Sequence, residues 1–190
     1  MATWIFEPGH TAAEFRVRHM MVTWVRGHFK DVHGRLEFDP ATCVFSSLEA
    51  TIQAKALWTG EPQRDEHLRS ADFLDVANQP RITFQSTSVE RVGDNDYKVQ
   101  GLLNVRGVAR SVVLDLHYLG SWRTPYNAAR VTRVGFTGET RINRHDFGVS
   151  WNSAMENEGS VVGSEVGITI DIEGILESEL RPILAASSNG

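Results

Sequence analysis

Apolar and polar residues alternate along most of this chain, and that period of two constrains its fold more than any other feature. Leu48, Ala50, Ile52, Ala54 and Ala56 interleave with Glu49, Thr51, Gln53 and Lys55. Val166, Ile168, Ile170 and Ile172 do the same with Gly167, Thr169, Asp171 and Glu173. The pattern recurs through Val32–Phe38, Tyr97–Val105, Val112–Tyr118 and Val134–Ile142. Successive side chains of a strand point to opposite faces, so each segment has one dry face and one wet face. Parallel strands covered on both sides read as continuous apolar runs, and alternation therefore predicts an antiparallel, all-β fold. Such strands can bury their dry faces in a sandwich or in a closed barrel.

Turn-forming residues punctuate the pattern. Asp39-Pro40, Gly93-Asp94-Asn95-Asp96, Arg106-Gly107 and Thr124-Pro125 are expected turns, the second joining a hairpin between Val89–Val92 and Tyr97–Val105. One segment departs from the period. Glu61 to Ser70 has Pro62 near a helix start, acids in the first turn, and Leu68 with Phe73 as apolar contacts. It predicts one or two short helices laid across an end or side of the sheet.

The chain has 190 residues, enough for one domain that buries about 70% of its unfolded surface without disulfides. The lone Cys43 leaves no intrachain bridge or CxxC motif. A net charge of -5 gives no electrostatic reason to bind nucleic acid. No run approaches the ~20 apolar residues of a membrane helix. Thr3-Trp4-Ile5-Phe6 follows the start with no basic or apolar leader region, so a cytoplasmic location is the default expectation. The small, polar run Ala185–Gly190 suggests a flexible tail, taken as 179–190 behind a domain of residues 1–178.

Catalytic signatures are weak. There is no HExxH or GxSxG motif, and no glycine loop of phosphate-binding form. His19, His28 and His33 cluster in the N-terminal strands without metal-ligand spacing, and a structural role is favoured. Arg64-Asp65-Glu66-His67 reads as a cap and an Arg–Asp pair docking the helix, since neighbouring positions on a helix do not share a face. Arg144 and Asp146, two apart, would share a strand face and tie neighbouring strands together. Trp24, Trp58, Trp122 and Trp151 read as barrel-end plugs, with transient membrane contact as the second reading.

Phe15–His19 with Val25–Phe29, Arg64–Val76 running on through Pro80–Thr87, Tyr97–Val108, and Ile142–Val149 with Gly163–Ile172 make four ordered stretches. Together they resemble the YceI-like family of polyisoprenoid-binding proteins. Glu7-Pro8 departs from the family's usual Asp after the opening apolar pair. The resemblance implies an extended, lipocalin-like antiparallel β-barrel of about eight strands with a tunnel for a long-chain isoprenoid lipid. It implies a carrier of a polyprenyl or quinone lipid and not an enzyme, with the lipid as ligand and neither cofactor nor metal. An enzyme acting on a lipid-like molecule in the same cavity, or a barrel with a filled core, is the alternative. Strand parity nominates Phe15, Val17, His19, Leu36, Phe38, Leu48, Ile52, Ile82, Phe84, Leu103, Leu114 and Phe136 as lining residues. Ala50, Ala54, Gly34, Gly101 and Gly138 share that parity and either open space in the lumen or mark packing and bends of the sheet. An exposed edge or an apolar barrel mouth would favour a homodimer.

Overall fold

The computed structural model describes residues 1–126, 129–153 and 161–180. Its strands are β1 (Ala2–Phe6), β2 (Ala12–His19), β3 (Thr23–Phe29), β4 (Val32–Asp39), β5 (Val44–Gln53), β6 (Leu57–Trp58), β7 (Arg81–Arg91), β8 (Asp96–Val105), β9 (Val108–Tyr126), β10 (Ala129–Asn143) and β11 (Val162–Leu176). They form one antiparallel sheet in the order β1-β4-β5-β7-β8-β9-β10-β11-β2-β3-β6, which closes because β1 also pairs with β11. Of the sandwich and the barrel, the chain adopts the barrel.

Three of the eight walls are interrupted strands. β1 and β2 lie end to end along β11, with Phe6 opposite Gly174 and Ala12 opposite Asp171. β4 and β3 continue one another across Asp31, whose φ is 62°, and β5 continues into β6 through a 3₁₀ turn at Ala54–Ala56. At the first break the buried Thr11 hydroxyl accepts the Glu173 amide (3.2 Å) and donates to the Glu173 carbonyl (3.4 Å). A side chain thus carries the ladder where the backbone of residues 7–11 bulges away.

The hairpin turns follow their chemistry. Arg106 (φ 54°) and Gly107 (φ 76°) make the two-residue, left-handed turn that matches strand twist. Gly93–Asp96 closes the β7–β8 hairpin, with Val92 N–H donating to the Asp96 carbonyl (2.9 Å). Thr124-Pro125 does not end a strand. β9 runs through Pro125, opposite Arg130, to Tyr126, opposite Ala129. Proline is tolerated because β8 ends at Asp96, opposite His117, leaving the far part of β9 paired on one side only.

α1 (Pro62–Arg69) occupies the expected helical segment. The Glu61 carboxylate caps it by accepting the amides of Gln63 (3.2 Å) and Arg64 (2.6 Å). Arg64 and Asp65 do not bond to each other directly; both hold Thr59. Buried Asp65 accepts the Thr59 amide and hydroxyl (2.9 and 2.5 Å), and Arg64 donates to the Thr59 hydroxyl and carbonyl (2.7 and 2.9 Å). Arg69 donates to the carbonyls of Lys55 and Leu57, fixing the helix over β6.

The barrel interior is divided along its axis. One end is filled by Trp4, Leu36, Phe38, Phe45, Leu48, Tyr97, Val99, Leu116 and Phe136. Phe38 sits 4.7 Å from Tyr118 and 5.1 Å from Phe136, centroid to centroid. The polar atoms there are satisfied: Trp4 Nε1 donates to the Phe38 carbonyl and the Tyr97 hydroxyl to that of Cys43, each at 2.9 Å. Burial pushes the Tyr97 and Tyr118 phenols above their usual range. The other end holds a separate cluster of Phe29, Leu57, Phe73, Ile82, Val105, Phe147 and Val149 beneath α1. Residues 177–180 are helical, and Glu179 accepts the Thr132 hydroxyl (3.2 Å), so the chain stays docked through residue 179. The remainder of the expected tail, 181–190, lies outside the described residues.

Candidate functional site

The second cluster encloses an apolar cavity of about 190 Å³. Its walls come from Phe15 and Val17 on β2, Ile52 on β5, Ile82 on β7, Leu103 on β8, Ile142 on β10 and Ile168 on β11. Its floor is Leu68 of α1 with Phe73 and Leu74, and Phe147 and Val149 close one side. A smaller apolar chamber of about 80 Å³ continues toward the filled end, lined by Leu48, Ala50, Phe84, Val112 and Leu114. Ala13, Ile52, Ile82, Leu103 and Ile168 border both. Each chamber is below the ~300–1,000 Å³ of typical small-ligand pockets. A long hydrocarbon therefore requires the side chains between the two chambers to take other rotamers.

Eight residues nominated by parity border this space: Phe15, Val17, Leu48, Ile52, Ile82, Phe84, Leu103 and Leu114. Leu36, Phe38 and Phe136 do point inward, but into the filled end, where each is fully buried and borders neither chamber. His19 shares the parity of Phe15 and Val17, yet it stands at the end of β2 opposite Thr23 and borders neither chamber. The side chains facing the chambers keep accessible surface that the filled end lacks: Phe15, Val17, Ile52, Phe84 and Leu103 are only half-buried.

The small residues divide in the same way. Ala50 borders the upper chamber. Gly34, Gly101 and Gly138 do not open space, because a Cβ at these positions would overlap Phe6, Phe84 and Leu116 respectively. Each glycine lets a large neighbour lie flat across the sheet, so the packing reading holds for them. Ala54 is buried in the second cluster and borders neither chamber.

Charge is scarce around the cavity. Among its described lining residues only Glu14 and Arg144 are ionisable. Arg144 does not share a strand face with Asp146, as parity suggested. Both lie in a 3₁₀ turn (Arg144–Phe147), which Gly148 ends in a left-handed conformation (φ 72°). Arg144 is 4% exposed and donates to four carbonyls: Gly163 (2.8 Å), Val149 (2.7 Å), Trp151 (2.9 Å) and Val162 (3.1 Å). Burial pushes its guanidinium below the usual arginine range. Its effect is to clamp the segment after β10 against the start of β11 and seal the cavity's side.

The turn at Gly148 also explains why periodicity missed Phe147 and Val149. Both face inward from an irregular segment that carries no alternation signal. Trp151 packs beside them, 5.3 Å from Phe73 and 4.7 Å from His67, as an end plug. Trp58 and Trp122 are exposed, while Trp24 lies under the guanidinium groups of Arg16 and Arg18. The N-terminal histidines stay apart: His28 stacks on Trp58 (4.9 Å) and His33 pairs with Asp31 (2.6 Å). Glu7, His10 and Glu173 do converge, and Arg133 also pairs with Glu173, making a polar clasp across the β1–β11 closure.

Comparison with known proteins places this geometry in a set. Residues 4–174 match the YceI-like domain model. Protein YceI of Escherichia coli is 34% identical over 169 residues, covering 89% of this chain and 83% of the relative. The crystal structure of Burkholderia cenocepacia BcnA is similar at a TM-score of 0.72 with 22% identity, covering 88% of this chain and 98% of that one. A Saccharophagus degradans domain described as polyisoprenoid-binding is similar at a TM-score of 0.67 with 13% identity, covering 93% and 99%.

Proposed function

This chain belongs to the YceI-like family, and on that premise we propose that its barrel binds the tail of a long-chain amphiphilic lipid, an isoprenoid of polyprenyl or quinone type, as a carrier and not a catalyst. The observation that carries the reading is the contrast within one lumen. Inward-facing apolar side chains are fully packed at one end, whereas at the other they leave two adjoining chambers lined almost wholly by apolar side chains. The description of the Saccharophagus degradans domain as polyisoprenoid-binding supports the choice of ligand class. Burying ten methylenes there contributes ~8 kcal/mol gross, and since association takes back at least ~4 kcal/mol, micromolar retention needs a tail that buries roughly fifteen or more. Branched prenyl units suit walls of Val, Ile, Leu and Phe, and the ligand's polar head would remain outside the apolar chambers.

Native mass spectrometry of the purified protein, with organic extraction and identification of its cargo, tests the proposal. A stoichiometric isoprenoid or other long-chain lipid is the expected result. A bare protein that also fails to take up added polyprenyl and quinone lipids would refute it and leave the filled-core alternative standing.

A further inference from the structure

The β2–β3 hairpin ends in a turn whose residues contradict its geometry. Val22 N–H donates to the His19 carbonyl (3.1 Å), and the two central residues, Met20 and Met21, have φ of 48° and 60°. Two consecutive left-handed residues are the place for Asn-Gly. This chain instead holds two methionines there, followed by valine, and exposes them at 42%, 62% and 79%. The hairpin therefore forgoes its best turn chemistry and presents a flexible apolar tip to solvent.

Behind the tip, the outer face of the same strands is basic. Register aligns Arg141, Gly167, Arg16 and Arg26 in one row across β10, β11, β2 and β3. Arg16 and Arg26 are direct cross-strand neighbours, a like-charge placement that disfavours the fold unless an anion lies over it. Arg18 stands nearer the tip, and Trp24 lies beneath Arg18 (4.3 Å) and Arg16 (5.3 Å). The nearby acids are Glu165, 3.6 Å from Arg141, and Glu14 and Glu139 in the next row away from the tip. Gly163 and Gly167 leave a trough between the arginines.

We propose that this tip and its arginine row dock the protein on a bilayer bearing anionic phospholipids, with Met20, Met21 and Val22 entering the interface and Arg16, Arg18 and Arg26 meeting lipid phosphates. Apolar side chains at the leading edge, an amphipathic tryptophan behind them and a basic face behind both match the layering of a membrane surface. The purpose rests on the carrier reading: Val17 and Val162 border the cavity, and His19, between Val17 and the tip, pairs with Val162. The docked hairpin would stand beside the route between cavity and bilayer.

Flotation with isoprenoid-free vesicles tests this. The wild type should bind phosphatidylcholine vesicles containing a third phosphatidylglycerol, should not bind pure phosphatidylcholine, and should lose binding as salt rises. Met20→Asn with Met21→Gly installs the preferred turn, so the variant should melt no lower than wild type yet bind vesicles at least ten-fold less. Arg16→Gln with Arg18→Gln should weaken binding about 25-fold, at roughly five-fold for each basic residue lost. No binding by the wild type, or equal binding by the tip variant, overturns the proposal. So does a dimer in solution that the tip variant converts to monomer without vesicle binding, because the occupant is then a second copy. Cargo extracted from the same preparations separates the two readings: lipid-filled protein that ignores vesicles sinks only the docking.

Discussion

Arg144 offers the most informative single perturbation, because a buried cation with no carboxylate partner among the described residues draws its place in the fold from carbonyls. Arg144→Met keeps the unbranched stem and removes the four hydrogen bonds. The Val162 carbonyl retains the Asn152 amide as a partner at 2.9 Å, so the carbonyls of Gly163, Val149 and Trp151 lose a donor. At about 1–2 kcal/mol for each orphaned buried acceptor the gross loss is ~3–6 kcal/mol. Removing the cation returns part of its desolvation cost, which is the cause of its lowered pKa. The net expectation is a loss of about 2–4 kcal/mol, or roughly 5–15 °C in Tm for a chain this size. Urea unfolding should show a lower midpoint with an unchanged slope. Hydrogen exchange should rise most at residues 149–153 and at the start of β11, and the cavity's side should loosen with it. Arg144→Lys should recover less than half, since an ammonium cannot reproduce a planar fork aimed at four acceptors. A loss within about 0.5 kcal/mol of zero for Arg144→Met, the range of an ordinary surface change, would refute the clamp.

Other consequences follow from the same interior. Leu103→Ala, between the two chambers, should cost about 2–4 kcal/mol without lipid and recover much of it when a prenyl lipid is added, as read by melting with and without ligand. Ala50→Leu should fill the upper chamber and reduce extracted lipid while circular dichroism stays native. Gly101→Ala should destabilise by about 1–3 kcal/mol because its Cβ meets the Phe84 ring, and a double-mutant cycle with Phe84→Leu should show that part of this loss is coupled to the ring. Tyr97 and Tyr118 have phenols held above the usual 10.0 by burial, so their stabilisation is complete below pH 10 and declines as pH rises through their folded values. Tyr97→Phe should shrink that alkaline decline in Tm, and phenolate absorbance should show both residues of the native protein titrating late.

How much of this was legible in the sequence depends on which physical term each feature obeys. Inward and outward faces were legible, because alternation is a property of the strand itself: Leu48, Ala50 and Ile52, or Ile168, Ile170 and Ile172, face the lumen as their spacing dictates. The helix was legible from Pro62 and the acids around it, although the cap is a glutamate, Glu61, rather than a shorter side chain. Closure into a barrel was legible only through the family resemblance, since in the chain itself it rests on β1 pairing at once with β4 and β11, and on Thr11 bridging a break that no local pattern announces. Arg144 was misplaced for a related reason. Two-apart spacing implies a shared face only if the backbone is extended, and here the chain has already turned into a 3₁₀ segment.

Parity decides whether a side chain enters the lumen, and it is silent on whether anything meets it there. Phe38 and Phe84 both point inward, yet Phe38 is locked by Phe45, Tyr97, Tyr118 and Phe136, whereas Phe84 lies across Gly101 and borders open space. The difference is set by what crosses the barrel from other strands. Aromatic rings from β4, β5, β8, β9 and β10 converge on one level of the axis and fill it. At the other level aliphatic side chains outnumber the rings of Phe15, Phe29, Phe73 and Phe147, and part of the floor is supplied by Leu68 and Phe73, outside the sheet. Volume in a barrel is thus a sum over distant segments, and a one-dimensional pattern carries only one summand at a time. That is why the strands could be read from spacing, while the hollow level needed three dimensions.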